Sequence, residues 1–224
     1  MSSSFIRESA AVLVKDIRSE IRTRYAWGSA ILFSISALFS IGILLGPYSL
    51  DPTMAASLLW ALIFFSSMAG LSRSFVKEEE AGTAEILRAS AANGPLFFGK
   101  ALFSAATLIS IEIVLVPLFL TIMGVEVSDP GSFLLILSLG SAGLCVGTTL
   151  TGAIVARTSA KGLLFTALSF PILVPDLLLS MAGTRAAMEG EGIRGMDLEV
   201  FALSLYIVAI SSVSYPLFGF VWEG

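Results

Sequence analysis

Six apolar runs, each at least about as long as a bilayer is thick, take up most of this chain and leave little polar sequence for a soluble surface. A hydrocarbon core about 30 Å thick takes roughly 20 helical residues to cross, and only segments that satisfy their own backbone groups can lie in it. The runs predict transmembrane helices over residues 26–46, 53–72, 96–123, 132–156, 162–183 and 198–221. The expected fold class is therefore all-α, a polytopic integral membrane protein whose six-helix domain covers 26–222. A composition of 56% apolar and 13% charged residues, with a mean hydropathy of +0.91, excludes an ordinary soluble domain.

The positive charges set the expected orientation. Eleven Lys and Arg fall on one side of the predicted membrane, in the N-terminal segment, the second connection and the fourth. The other side has only Arg185 and Arg194. Short loops obey the positive-inside rule best, so the eleven-charge side is expected to be cytoplasmic, with both termini there.

Several chemistries are excluded early. A net charge of −4 gives no dense basic surface for nucleic acid. The absence of histidine removes the commonest metal ligand and general base, so no metal site is expected. The single cysteine, Cys145, has no partner for a disulfide and reads as a packing residue in span four. No Ser-Lys or paired-Asp constellation has catalytic spacing, so no catalytic residue is assigned and the chain is read as non-enzymatic.

Residues 1–25 carry Arg7, Lys15, Arg18, Arg22 and Arg24 ahead of an apolar run too long for a signal peptide, and they read as mature sequence. Ile6, Leu13, Ile17 and Ile21 recur near one helical face among Lys15, Asp16, Arg18, Glu20, Arg22 and Arg24. That pattern predicts an amphipathic helix lying on the membrane surface.

Gly94 to Lys100 matches the glycine and lysine spacing of a phosphate-binding loop, but Ala101 follows where a metal-ligating hydroxyl is needed, and no strand precedes it. The sequence instead predicts that Gly94-Pro95 starts span three and that Lys100 snorkels to the headgroups. In span four Gly140, Gly143, Gly147 and Gly152, with Thr148 and Thr151, form a small-residue stripe. Such a stripe packs against another helix, within the subunit or across a dimer. Glu112 in span three and Asp176 in span five are intramembrane acids, either translocation-path groups or paired and protonated structural ones. Pro117 and Pro175 would kink these spans.

Between spans two and three, residues 75–93 interrupt the apolar pattern with Glu78, Glu79, Glu80, Gly82, Thr83, Glu85, Ile86, Leu87 and Arg88. Thr83 is a candidate N-cap for a short helix with Glu85 in its first turn. Ile86 and Leu87 are then exposed unless something covers them, and the segment is either a solvated charge run or a docking helix for a soluble subunit.

With those residues in view, nearly the whole chain resembles the CcmB family. The likeness rests on Val14 to Tyr25, Leu59-Trp60, Ser66 to Arg73, Phe75 to Arg88, Gly99-Lys100 and Phe170 to Pro175, in order along six spans. The resemblance implies an ABC-2-like permease for haem in cytochrome c maturation, in the cytoplasmic (inner) membrane. It implies a second copy of the chain, a CcmA-like ATP-binding subunit that holds the ATP, and CcmC-like and CcmD-like membrane partners besides lipid. Residues 75–93 would be the coupling helix and 1–25 an elbow. Haem would be transported or held by a partner, because without histidine this chain has only Met, Tyr or Cys145 as axial candidates. An exporter of a lipid or other amphiphile, and a non-transport scaffold, are the alternatives.

Overall fold

The computed structural model describes residues 2–45, 50–71, 75–80, 82–83, 85–87, 92–156 and 161–223. The described elements are helical: α1 (Ser2–Thr23), α2 (Tyr25–Leu45), α3 (Pro52–Leu71), α4 (Val76–Glu80), α5 (Asn93–Met123), α6 (Pro130–Val155), α7 (Lys161–Glu189), α8 (Gly192–Gly195) and α9 (Asp197–Glu223). Six of them, α2, α3, α5, α6, α7 and α9, are long and apolar enough to cross a membrane. The chain is a multi-pass membrane protein.

Local chemistry fixes where the helices begin and end. The Asp51 carboxylate accepts the Met54 amide and caps α3. Asp129 accepts the Ser132 amide and hydroxyl ahead of Pro130, which suits the first turn of α6 because it has no N–H to lose. Gly124, at φ 64°, closes α5 in the left-handed conformation. Helix α7 runs to Glu189, past the end at residue 183 that the sequence predicts for this span. Thr184 accepts the Trp60 indole N–H at 2.8 Å, and Ala186, Ala187 and Met188 are buried, so tertiary contacts carry the helix on.

Helix α3 is the central element, with Leu59, Trp60, Ile63 and Phe64 inside the main apolar core. Helices α6 and α7 pack antiparallel along the glycine stripe. Gly147 faces Leu173, Gly143 faces Asp176, and Gly140 faces Ser180 and Trp60, while Gly183 on α7 returns the pattern by facing Ile136. Thr151 and Ser169 share a hydrogen bond at 2.8 Å in the same seam. Gly152 continues the stripe toward Phe75 and Phe165. The stripe is thus used within the subunit, and of the two arrangements open from sequence it takes the intrachain one.

Candidate functional site

At the end of the bundle that carries α1, five segments converge: α1, α4 with residues 85–87, the start of α5, and the last turns of α6 and α9. Their meeting point combines an aromatic cluster with a group of buried charges. Phe75 packs on Phe218 and Trp222, and Phe97 on Phe218, at centroid distances of 5.3–5.7 Å. Val12, Leu87, Leu96, Ala153 and Ala156 complete the cluster.

Beside it, Lys100 is only 1% exposed. Its ammonium lies 3.0 Å from Asp16 Oδ2, 3.3 Å from Glu78 Oε1 and 5.2 Å from the Phe75 ring centroid. Lys15 pairs with Asp16 at 3.1 Å and also donates to Glu78. Thr83 donates its hydroxyl to Glu78 Oε2 at 2.7 Å. The lysine expected to snorkel outward therefore turns inward. A buried ammonium needs a counter-charge, and Asp16 and Glu78 supply two from segments far away in sequence.

Burial works against the Glu78 carboxylate, but Lys100, Lys15 and Thr83 together outweigh it and hold the carboxyl down at about 2. Burial likewise works against charge on Lys15, and Asp16 and Glu78 outweigh it, raising the amine above its ordinary 10.5.

Helix α1 is built on two faces. Ser9, Val12, Asp16 and Glu20 are buried, and this face lies on α5. Gly99 makes the approach possible: a Cβ there would stand 2.7 Å from Val12 Cβ and 2.8 Å from the Ser9 carbonyl. The face carrying Ile6 and Ile21 is exposed instead, about a quarter turn away. Glu20 Oε1 accepts the amides of Ala26 and Trp27 at 2.7 and 3.1 Å, satisfying donors that the first turn of α2 leaves open. Arg24, at φ 52°, makes the turn between α1 and α2 and is exposed together with Arg18 and Arg22.

The acidic segment divides in the same way. Glu78 is 8% exposed and faces inward, which corrects the expectation that it offers a surface. Thr83 spends its hydroxyl on Glu78 rather than on a helix amide, and Leu87 is 8% exposed, covered by the aromatic cluster. Glu80, Gly82, Thr83, Glu85 and Ile86 face outward, with Ile86 68% exposed, and Glu79 is half-buried. Arg88 lies outside the described residues.

The two intramembrane acids lie away from this end and border the same stretch of α6, Glu112 at Ser141 and Asp176 at Gly143. Glu112 is 7% exposed and accepts the Ser141 hydroxyl on the wall of a cavity of about 530 Å³ between α5 and α6. Asp176 is fully buried in the α6–α7 seam, and neither carboxyl oxygen has a hydrogen-bond partner there. Sequence reasoning missed Glu20 as a cap for α2 and Lys100 as a charge anchor. The spacing Ser9, Val12, Asp16, Glu20 marks one helical face and was the signal for Glu20, whereas nothing near Lys100 in sequence signals its burial.

The family model CcmB, described as CcmB protein, matches residues 7–219. No curated protein matches the chain.

Proposed function

This chain belongs to the CcmB family, and from that premise we propose that it is a permease subunit driven by ATP hydrolysis in a separate chain. Membership makes it a membrane component of the haem-export system of cytochrome c maturation. The finer reading is that residues 75–87 form the surface on which the ATP-binding subunit docks. Two copies of each subunit act together in the inner membrane with CcmC-like and CcmD-like partners. The eleven-charge end is cytoplasmic, so α1 and α4 lie where a soluble ATPase can reach them.

One observation carries this reading. The segment is anchored from within by Phe75, Glu78 and Leu87, and it presents Glu80, Glu85 and Ile86 outward. A merely solvated charge run needs no such footing. A push on this segment passes through Lys100 to α5, through Lys15 to α1, and through Phe75 to α9, so four elements move with one contact.

The test is capture. Glu80→Lys with Glu85→Lys reverses the outward charge, and Ile86→Ala removes the exposed apolar anchor. Each is expected to lower copurification of the ATP-binding subunit at least about fivefold, since a central anchor is worth roughly 1–2 kcal/mol or more. The amount of chain in the membrane should not change. Undiminished capture would remove the docking role.

A further inference from the structure

The circumference of helix α1 carries a different chemistry on each side. At about 100° per residue, Ser9, Val12, Asp16 and Glu20 form the row that lies on α5. The next row around the helix, Ile6, Val14 and Ile21, is exposed. Beyond it comes a row of Arg7, Arg18 and Arg22, exposed and nearly opposite α5. Lys15 and Ser19 fill the remaining sector, where α4 closes on the helix through Glu78 and Lys77. Protein therefore covers two sides of α1 and leaves an apolar row and an arginine row next to each other. Among the described residues none of these three arginines has an ion-pair partner.

The apolar row continues a lipid-facing surface. Phe5 meets Phe98 of α5 edge-on at 5.9 Å, and Phe98, Leu102, Ile109 and Ile113 make up an exposed strip of that spanning helix. Phe98 is the sixth residue of α5, so the row on α1 lies at the level where the hydrocarbon begins. Arginines beside an apolar row at that level stand among the headgroups, and their planar forks match phosphate oxygens. A soluble acidic partner would account for the arginines alone, whereas a bilayer accounts for both rows. In a zwitterionic lipid the headgroup's own cation offsets the phosphate, so net negative lipids fit best. We propose that Arg7, Arg18 and Arg22 form a binding site for the phosphate headgroups of anionic phospholipids, with Ile6, Val14 and Ile21 among the acyl chains beside them. The lipid grips α1 from the side opposite Asp16, and so holds that carboxylate against Lys100 and keeps the footing of Glu78 in place. This goes beyond the cytoplasmic docking reading and does not depend on it.

The experiment is native mass spectrometry of the full chain released from nanodiscs of equal parts phosphatidylglycerol and phosphatidylcholine. Retained phosphatidylglycerol should exceed phosphatidylcholine at least about fivefold, the worth of one arginine beside an anionic surface. Arg7→Gln, Arg18→Gln and Arg22→Gln together should bring the ratio near one, while the three changes to lysine should keep most of the preference. Thermal unfolding in phosphatidylcholine alone should be the same for all three proteins, since these side chains touch no other part of the described chain. Arg185→Gln with Arg194→Gln, on the opposite side, should leave the ratio unchanged. An enrichment that survives the triple glutamine variant, or that is lost equally in the Arg185 and Arg194 variant, would overturn the proposal. So would capture of the ATP-binding subunit falling in the triple glutamine variant while lipid enrichment stays, which would give the arginine row to a soluble partner.

Discussion

Replacing Lys100 with methionine should destabilise the purified protein by about 3 kcal/mol, the usual cost of leaving buried charge uncompensated. Asp16 and Glu78 then share Lys15 alone, and Lys15 is the partly exposed member of the group. Thermal unfolding reads the loss, and proteolysis after Lys77 should quicken as α4 leaves α1 and α5. Adding Glu78→Gln to Lys100→Met restores one acid to one base and should recover more than half of the loss, which a purely steric role for Lys100 would not allow. The same group sets the response to pH. Glu78 is held at about 2, below its ordinary 4.5, so its contribution is present above about pH 4.5 and is lost as pH falls through about 2. Lys15 is raised, so its contribution is present below pH 10.5 and is lost as pH rises through its higher value. Glu78→Gln should abolish the acid-side loss attributable to this group.

The second large effect is expected at Gly143. A Cβ there would stand 2.1 Å from Asp176 Oδ1 and 2.7 Å from its carboxyl carbon, so Gly143→Ala cannot be absorbed by the end of a flexible chain alone. Overpacking of this kind costs about 1–3 kcal/mol. In lipid no hydrophobic expulsion holds α6 against α7, so the seam itself should part. A disulfide engineered between the two helices would report this as a loss of crosslinking. Asp176→Gly in the same chain removes the clashing carboxyl and should restore the crosslink. If the single variant kept full crosslinking, the close antiparallel seam would be wrong.

These two sites show which parts of the molecule were legible in sequence. The spans were legible because lipid demands continuous apolarity, and a run such as Asn93–Met123 needs no knowledge of its neighbours to be recognised. The glycine stripe was legible as a packing surface, but its partner was not, since Gly143 says only that something comes close. What comes close is Asp176, 33 positions later, and no local pattern links the two. Lys100 failed for the same reason. Near a membrane entry a lysine snorkels by default, and only Asp16 and Glu78, brought in by α1 and α4, make burial affordable. The end of α7 failed because Thr184 and Arg185 read as loop residues, whereas Trp60 holds Thr184 and Glu189 pairs with Arg185 at 3.7 Å. In the acidic segment, the sequence could not sort the residues that face inward from those that face outward. Leu87 is covered and Ile86 is not, and that difference depends on Phe218 and Trp222 from the far end of the chain.

Ile86→Cys, in a complex purified with the proposed ATP-binding subunit, tests the central claim most directly. A short thiol-reactive crosslinker at that position should join the two subunits, and the yield should change by several-fold between the nucleotide-free and ATP-bound states. No adduct with the ATP-binding subunit, in a complex that still hydrolyses ATP, would contradict it.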